Sequence, residues 1–388
     1  MKKYDLILTF SFLRIGGAEN LIATTIQELV KKKVKFLFIT LYIDDNIKKQ
    51  LVGCEEYIVR PSANIENILK IKFLRYLFGP LVYFLLLSKY IHKSEKFLSF
   101  GFTPTYILSI LKFFNKKFKI YYFECDIKIP GGVLIDFKDY YQKIVQYLLF
   151  HFQDFFDNIL LKNVESIIVI DDKNLKYAKF HYKSIIKKFH LVYPPTNLSE
   201  NFDLIKPPSS KIFELFKIKT RYLCIVGSLD SKKNTLEAVK LLYYIRNKKL
   251  NYQLLIIGGG ELENYLKNKV LELNLKESVH FLGKISYNDL DNVYKESFCN
   301  LFFAVHQTWG LTPFEALRFG TPSIVSKEAG CAEFLQKKNI NHIHNLEDSF
   351  DCCINFLEKD CKNFTYDKSK FKELDPKHFT SKLLSVIF

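Results

Sequence analysis

The sequence predicts an α/β protein with two domains, each built on a parallel sheet. Its length of 388 residues is that of two domains of ordinary size. Apolar runs typical of buried parallel strands alternate with helical patterns along both halves of the chain. Near the middle, Pro194 and Pro195 end one series of strands and helices, and a new series begins at Tyr222. The predicted domains are 1–198 and 199–374, followed by a terminal helix at 375–388.

The composition is that of a globular and basic protein. Hydrophobic residues make up 48% and charged residues 25%, which excludes a disordered chain. The formal charge is +16, and residues 1–200 hold 30 Lys+Arg against 19 Asp+Glu, a net of +11. A surface with this excess of positive charge attracts anionic partners or is simply solvated. The sequence has no aromatic–basic RNA-binding string and no arginine cluster, so we expect no nucleic-acid partner.

Neither a metal site nor a membrane span is expected. Eight cysteines are scattered, mostly in apolar surroundings, without the paired spacing of metal ligands. The N-terminal segment enters a strand-like pattern with no signal-peptide cleavage site. The longest uncharged apolar run, near Leu77–Leu87, contains Gly79 and Pro80 and is too short to cross a bilayer. The sequence therefore predicts a cytoplasmic protein, free or peripheral on the inner face of the membrane.

The first domain begins with a β-rich apolar run and continues as alternating strands and helices. Short runs of β-branched and aromatic residues predict strands, and longer runs with a period near 3.6 residues predict helices. The predicted strands are Tyr4–Phe10, Val34–Tyr42, Phe97–Phe100, Phe118–Phe123 and Ser166–Ile170. The predicted helices are Leu21–Leu29, Ile65–Ile91, Phe102–Phe114 and Val145–Leu161. This alternation is typical of a Rossmann-like sheet.

The second domain repeats the same alternation. The predicted strands are Tyr222–Val226, Leu254–Ile257, Val279–Leu282, Cys299–Val305 and Ser323–Val325. Helices are predicted to end near Ile245, to follow Glu261, and to span Tyr287–Lys295, Leu311–Phe319, Phe350–Leu357 and Lys377–Ile387. The two halves are thus architectural relatives without being a sequence repeat.

Glycines mark the turns between several strands and their helices. Gly16-Gly17 follows the first strand, Gly227 follows the strand at Tyr222, and Gly258-Gly259 follows the next one. A glycine lets the backbone approach a ligand closely, and a helix N-terminus favours an anion. A tight turn without any ligand also accounts for a glycine pair.

The stretch His306–Ser326 is the most informative part of the chain. It runs from the end of a buried strand through a glycine-bearing turn into a helix and then into the next strand. Pro313 suits the first helical turn and Gly320 suits the helix end. Glu315 therefore lies early on a helix, at the edge of the sheet where nucleotides bind in open α/β folds.

This stretch resembles the retaining nucleotide-sugar glycosyltransferases of group 1, the glycogen-synthase-like family four. That family shows two glutamates separated by seven residues around a Phe-Gly-Leu core, then Gly-Thr-Pro. Matching residues are Trp309-Gly310-Leu311, Glu315-Ala316 and Gly320-Thr321-Pro322. Outside the stretch, the family pattern is matched by Gly16–Glu19, the hinge-like Val192–Asn197, Gly227, Lys233, Asn234, Gly330 and Glu333.

The chain departs from the family pattern at four positions. Gln307 stands for the first glutamate, Ser228 for an arginine, Phe123 for a histidine and Ala329 for a glycine. Lys232 offers a second positive charge in place of that arginine, without the bidentate geometry of a guanidinium. A solvated lysine pair is the plainer interpretation of Lys232 and Lys233.

The resemblance implies two Rossmann-like domains facing a cleft, the GT-B-type architecture, with the terminal helix packing back towards the first domain. It implies a donor linked to UDP, GDP or ADP, a glycan or polyprenol-linked acceptor, and no cofactor or metal. Lys233 and Lys232 would hold the diphosphate, Gln307 the donor sugar and Glu315 the ribose. The implied donor-binding set is Gly16, Gly17, Gly227, Ser228, Gly258, Gly259, Trp309, Gly310, Leu311 and Glu315.

The acceptor side carries few signals. Glu124 and Asp126 follow the predicted strand at Phe118 and are candidates to orient an acceptor hydroxyl, although acids in a surface loop are the more common case. Two alternatives to an active transferase remain at this point. One is a degenerate scaffold that binds nucleotide without transfer, and the other is a nucleotide-sugar epimerase or phosphorylase on the same fold.

Overall fold

The computed structural model describes residues 3–13, 17–115, 117–124, 161–196, 221–305 and 307–388. The chain divides into two units, Met1–Pro195 with Pro376–Phe388 and Thr196–Asp375. Within the described ranges, no helix combines the length and the apolar character needed to cross a bilayer. Gly16, Asp126, His306 and the predicted helix Val145–Leu161, except for its last residue, lie outside the described residues.

The first unit is built on a parallel sheet. Among the residues that the structure describes, its seven strands have the order β5-β3-β1-β6-β7-β8-β9, and β2 pairs with β4 in a separate two-stranded sheet. The strands are β1 Leu6–Thr9, β2 Phe12–Leu13, β3 Phe36–Ile39, β4 Tyr42–Ile43, β5 Ile58–Val59, β6 Lys96–Phe100, β7 Lys119–Glu124, β8 Ser166–Val169 and β9 Phe189–Leu191. The helices are α1 Gly17–Lys31, α2 Asp45–Gln50, α3 Ala63–Lys70, α4 Lys72–Ser88, α5 Phe102–Phe114, α6 Asp172–His181 and, from the end of the chain, α13 Pro376–Ile387.

The second unit is built on a parallel sheet, in which the described part of the chain contributes six strands of order β12-β11-β10-β13-β14-β15. The strands are β10 Tyr222–Val226, β11 Gln253–Ile257, β12 Val279–Gly283, β13 Cys299–Phe302, β14 Ser323–Ser326 and β15 His342–His344. The helices are α7 Thr235–Asn247, α8 Glu263–Glu272, α9 Tyr287–Glu296, α10 Thr312–Arg318, α11 Ala332–Lys337 and α12 Asp351–Asn355. The predicted α/β class with two parallel, Rossmann-like sheets is confirmed.

The central strands are buried on both faces, which explains their nearly continuous apolar sequences. All four residues of β1 and of β3 are buried, and so are those of β13 and β14. Each sheet supports its own hydrophobic core, one around Ile7 and Phe97 and the other around Leu223 and Leu254. Each unit therefore holds enough apolar material for a core of its own.

The structure differs from the sequence prediction at the long helical region 65–91. That region forms two helices, because Ile71 adopts extended torsion angles between α3 and α4. The helix pattern runs through Ile71 because an isolated isoleucine is compatible with either conformation. The predicted strand Cys299–Val305 is also shorter, since it leaves the sheet after Phe302.

The last helix, α13, belongs to the first unit. Lys32, directly after α1, donates a hydrogen bond to the Ser381 hydroxyl at 3.1 Å. The ring of Phe379 packs edge-on against Phe123 of β7, with 6.2 Å between centroids. Both phenylalanines are fully buried, so α13 completes the core at this side of the first unit.

Asp171, at the carboxyl end of β8, is a buried acid in the first unit. It caps α6, accepting hydrogen bonds from the backbone N–H of Asn174 at 2.7 Å and from its side-chain amide at 3.1 Å. Burial raises the pKa of Asp171 to about 7, and these hydrogen bonds offset only part of that shift. The folded protein therefore keeps a proton that the unfolded chain releases near pH 4.

We expect Asp171→Asn to remove a pH dependence of stability. A carboxyl group whose pKa is raised by folding makes the free energy of unfolding fall as the pH rises from about 4 to about 7. Over this range, the free energy of unfolding of the wild type should fall by on the order of 2–4 kcal/mol because of Asp171. The asparagine variant should lack this contribution to the decrease. Urea denaturation at about pH 4 and about pH 8 measures the difference. If the free energy of unfolding differed between the two proteins by the same amount at both pH values, the assignment would be contradicted.

Candidate functional site

The site lies at the carboxyl ends of β10, β11 and β13. The strand order changes direction at β10, which has the later strand β11 on one side and β13 on the other. Connections leave such a point towards opposite faces of the sheet and open a crevice between the turns. Three turns meet there, at residues 227–234, at residues 258–262 and at the described residues of 303–311, which exclude His306.

The first turn, 227–234, is organised by Asp230. One carboxylate oxygen accepts a hydrogen bond from the Ser228 hydroxyl at 2.6 Å. The other accepts from the backbone N–H of Lys233 at 3.1 Å and caps the short 3-10 turn Ser231–Lys233. Asn234 then adopts a left-handed conformation, with φ of 49°, and α7 begins. The position where the family pattern has an arginine thus holds a serine that helps to fix its own loop.

The ammonium group of Lys233 is aimed at the third turn. Its Nζ donates a hydrogen bond to Oε1 of Gln307 at 2.6 Å and lies 5.9 Å from the ring centroid of Phe302. Burial lowers the pKa of Lys233, while the nearby carboxylates of Asp230 and Glu315 act in the opposite direction. Because the acceptor is a neutral amide, the positive charge of Lys233 is not cancelled by its closest partner.

Lys232 has a different environment from its neighbour. Its side chain is exposed, whereas that of Lys233 is half-buried. Its backbone carbonyl accepts a hydrogen bond from the N–H of Val305 at 2.8 Å, which joins the first turn to the third. The structure therefore brings Lys233, but not the Lys232 side chain, into the polar cluster with Gln307.

The second turn, 258–262, packs backbone against backbone on the first. The N–H of Leu229 donates to the carbonyl of Gly259 at 3.2 Å, and the N–H of Leu262 donates to the carbonyl of Leu229 at 3.0 Å. Gly258 has φ of +130°, and a Cβ atom there would lie 1.8 Å from the carbonyl oxygen of Gly227. Only a residue without a side chain allows this approach. The predicted glycines Gly227, Gly258 and Gly259 therefore meet in one place.

The third turn, 303–311, is held by an aromatic stack and by the loop that follows β14. The ring of Trp309 stacks on Phe314 at 5.1 Å between centroids and meets Phe334 edge-on at 5.4 Å. The N–H of Gly330 donates to the carbonyl of Gln307 at 2.9 Å, and that of Cys331 donates to the carbonyl of Trp309 at 3.0 Å. These contacts fix the backbone of Gln307.

Gly310 and Leu311 lead from this turn into α10. Gly310 has φ of +93°, and a Cβ atom there would lie 2.3 Å from the Phe302 ring. Leu311 is the N-cap residue of α10, and its carbonyl accepts from the N–H of Glu315 at 2.9 Å. Trp309, Gly310 and Leu311 thus shape the turn, and Glu315 projects from the first turn of the helix.

Glu315 is anchored by a residue that sequence reasoning missed. The buried hydroxyl of Tyr294, in α9, donates to Oε2 of Glu315 at 2.8 Å. Burial raises the pKa of Glu315, whereas this hydrogen bond, Arg318 and Lys233 lower it. The Thr321 hydroxyl donates to the Tyr294 carbonyl at 2.6 Å and holds the tyrosine in turn. No sequence motif links positions 294 and 315, so this contact could not be predicted from a local pattern.

The remaining predicted site residues belong to the first unit or lie outside the described residues. Gly17 is the first residue of α1, and Glu124 is the last residue of β7 with its side chain half-buried. Gly16 and Asp126 lie outside the described ranges. The described cluster of the second unit therefore consists of Lys233, Gln307 and Glu315 with the glycine turns around them.

Sequence comparison connects this cluster with known proteins. Residues 209–348 match the model of the family described as glycosyl transferases group 1. A Campylobacter jejuni relative, N-acetylgalactosamine-N,N'-diacetylbacillosaminyl-diphospho-undecaprenol 4-alpha-N-acetylgalactosaminyltransferase, is 28% identical over 268 residues, which are 69% of this chain and 66% of that protein. The O-antigen chain mannosyltransferase RfbU of Salmonella typhimurium is 32% identical over 114 residues, 28% of this chain and 31% of that protein. The chain thus spans less than two thirds of the length of both relatives.

The fold has a counterpart over the whole chain. The crystal structure of HepE from Anabaena in complex with UDP and glucose has a TM-score of 0.67 at 13% identity, covering 99% of this chain and 97% of that one. At this identity the likeness concerns the fold, which is GT-B. Residues 209–348 are thus similar to group 1 glycosyl transferases, and the structural likeness extends the GT-B fold over the chain.

Proposed function

We propose that this chain is a retaining glycosyltransferase that moves a sugar from a nucleotide-sugar donor to a glycan or lipid-linked acceptor without a metal ion. The observation that carries the proposal is the contact between Lys233 and Gln307. It holds the ammonium group of Lys233 against a neutral amide at the carboxyl edge of a parallel sheet, beside two glycine turns. A diphosphate has the charge and the shape that this arrangement accommodates.

The reaction needs stabilisation of a leaving group. The bond between the anomeric carbon and the diphosphate oxygen breaks, and negative charge grows on the diphosphate. The acceptor hydroxyl forms a bond to the same carbon, and its proton passes to the oxygen of the departing diphosphate. Lys233 faces the growing negative charge, and Gln307 is placed to bind hydroxyls of the donor sugar. Retention of configuration is proposed from the family resemblance, and no protein nucleophile is assigned.

Glu315 is proposed to hold the ribose of the nucleotide. It lies in the first turn of α10, and its carboxylate is fixed by Tyr294. A carboxylate accepts hydrogen bonds from both hydroxyls of a ribose, and a partly buried environment strengthens these hydrogen bonds. HepE was crystallised with UDP, and the Campylobacter relative is named for a diphospho-undecaprenol substrate. A UDP-sugar and a polyprenol-linked acceptor are therefore the first candidates to test.

The donor is identified by ligand stabilisation. UDP-, GDP- and ADP-sugars are added separately to the full chain, and the melting temperature is recorded. The correct donor should raise it, because a ligand bound only by the folded state stabilises by about 2.7 kcal/mol at a hundred times its Kd. Mass spectrometry of products, with and without a polyprenol-linked acceptor, then tests transfer. The absence of a shift with every donor at saturating concentration would contradict the proposal.

A degenerate nucleotide-binding protein is the second candidate. The observation in its favour is that Ser228 binds Asp230, so the position of the family arginine contributes no charge to a diphosphate. This candidate predicts a thermal shift with a nucleotide but no product and no donor hydrolysis. Steady transfer or hydrolysis of a donor excludes it.

Glu315→Ala is expected to raise the donor Michaelis constant by about 10- to 150-fold and to change kcat little. A charge-assisted hydrogen bond is worth about 1.5–3 kcal/mol, and the ribose is held equally before and during the reaction. Initial rates against donor concentration measure both constants. Tyr294→Phe is the matched control, because it removes the support of Glu315 and leaves the carboxylate in place. A loss confined to kcat would contradict the ribose-binding role.

The first unit is proposed to bind the surface of an anionic membrane. Helix α4 exposes a row of apolar side chains at intervals of four residues, and α3 adds Ile68 beside it. The row consists of Phe73, Leu77, Leu81 and Leu85, each more than half exposed. Exposed lysines border the row at Lys70 and Lys89. An apolar face with a basic margin is typical of a helix that lies in a lipid interface.

Replacing Leu77 and Leu81 with serine should weaken binding to anionic vesicles by about tenfold or more, because the contact with lipid loses the burial of two leucines. Both side chains are exposed, so the fold should be retained. Vesicle sedimentation at low salt, with anionic and with neutral lipid, measures the effect. Leu271→Ser, at an equally exposed leucine of α8 in the second unit, is the control and should bind as the wild type does. Equal recovery of the wild type with both vesicle types would exclude the membrane role.

A further inference from the structure

Two histidines and a cysteine meet at the edge of the second sheet. His342 and His344 are two residues apart on the edge strand β15, so their side chains lie on the same face. Cys353 lies on α12, which packs against this strand. The potential ligand atoms of the three side chains, one from each, lie within 4.8 Å of one another.

The surroundings of these side chains are closed and apolar. His344 and Cys353 are almost completely buried, and His342 is half-buried. Phe356 stacks on His342 and Phe350 stacks on His344, each with 5.4 Å between ring centroids. The ring of Phe303 meets His344 edge-on at 5.8 Å. Aromatic rings thus exclude solvent from the cluster on several sides.

One imidazole nitrogen of each histidine in this pocket lacks a partner in the part of the chain that the structure describes. Among the described residues, the Nε2 atoms of both His342 and His344 are buried and have no hydrogen-bond partner. A buried polar atom without a partner costs about 1–3 kcal/mol, and a native structure has few of them. Two such atoms beside a buried thiol point to a ligand that accepts electron pairs from all three.

We propose that His342, His344 and Cys353 bind a zinc-class transition-metal ion that ties the edge strand β15 to α12. Two imidazoles and a thiolate are the ligands that Zn²⁺ prefers, and they leave the fourth tetrahedral position to a water molecule. In a tetrahedral site with bonds of about 2.0–2.3 Å, ligand atoms lie roughly 3.3–3.7 Å apart, so small side-chain rotations are enough to close the cluster. The thiol proton is released to solvent on binding, and the metal keeps its oxidation state.

The position of the cluster indicates a structural role. It lies beyond β14 at the last strand of the sheet, whereas the polar cluster of Lys233 and Gln307 lies at the ends of β10 and β13. The ion would stabilise an edge strand of only three residues.

Metal binding is measured on the full chain after dialysis against a chelator. Cobalt(II) is added as a spectroscopic probe, and we expect tetrahedral d–d bands and a thiolate-to-cobalt charge-transfer band at one equivalent. Zinc at a hundred times its Kd should raise the melting temperature by about 5–10 °C. Elemental analysis of the untreated protein should find about one zinc per chain.

Cys353→Ser should abolish the charge-transfer band. It should also weaken zinc binding by more than roughly 10- to 100-fold, which is the cost of losing a residue that only orients a metal ligand. Cys352→Ser, at the exposed neighbouring thiol, is the matched control and should leave the spectrum unchanged. Should Cys353→Ser fail to fold, His342→Gln provides a second variant with the same expected loss of affinity. Absence of the cobalt spectrum in the wild type, or its persistence in Cys353→Ser, would overturn the proposal.

Discussion

Lys233→Ala is expected to lower the kcat of the proposed transfer by roughly 30- to 1000-fold and to change the donor Michaelis constant much less. Loss of one preorganised electrostatic contact costs about 2–4 kcal/mol of barrier. The ammonium group faces charge that appears only as the diphosphate leaves, so the loss falls on the transition state. Initial rates with the donor identified by thermal shift measure both constants. An unchanged kcat would contradict the role of Lys233.

Two variants separate this role from general effects of charge. Lys232→Ala removes an equal charge from the exposed neighbour of Lys233 and should change kcat by less than about threefold, as expected for an exposed charge. Gln307→Glu places a carboxylate where Lys233 now donates at 2.6 Å to an amide, so it should pair with the ammonium and reduce the activity. If Gln307→Glu instead switches on transfer in an otherwise inactive protein, the degenerate interpretation is correct and the proposed one is wrong.

Gly258→Ala is expected to lower the free energy of unfolding by about 3 kcal/mol or more, the sum of backbone strain and overpacking. The added Cβ atom would lie 1.8 Å from the carbonyl oxygen of Gly227, and φ of +130° is a conformation that alanine rarely adopts. Backbone atoms cannot move aside as a flexible side chain does. Urea or guanidinium denaturation of the second-unit transition measures the loss.

Gly283→Ala is the matched control for this substitution. Gly283 also has a positive φ, of +65°, but an added Cβ atom would meet no described atom within 4 Å. Only the backbone cost of about 1–2 kcal/mol should therefore appear. If Gly258→Ala lowered the free energy of unfolding no more than Gly283→Ala does, the turns 227–234 and 258–262 would separate easily. That result would contradict the close packing described above.

The sequence was informative where a local pattern determines the structure. The central strands are nearly continuous apolar runs because parallel strands are covered on both faces, so β1, β3 and β10 were predicted at nearly the correct places. Glu315 was placed in the first turn of its helix because proline and glycine mark the two ends of that helix.

Features that depend on packing between distant residues were not predictable. The contact of Tyr294 with Glu315 arises from the packing of α9 on α10, which no local pattern encodes. Lys232 and Lys233 are equivalent in sequence, and only the capped 3-10 turn directs one of them to Gln307. The strand β15 was missed because three residues are too few to show an alternating pattern.

The first unit is formed by two separate segments of the chain, and this has a consequence for protein synthesis. That unit contains both Met1–Pro195 and Pro376–Phe388, so the whole of the second unit is translated before α13. Until then, Phe123 on β7 lacks the ring of Phe379 that covers it in the finished protein. The second unit is therefore complete in sequence before the first, and the first unit closes its core only after α13 has been translated.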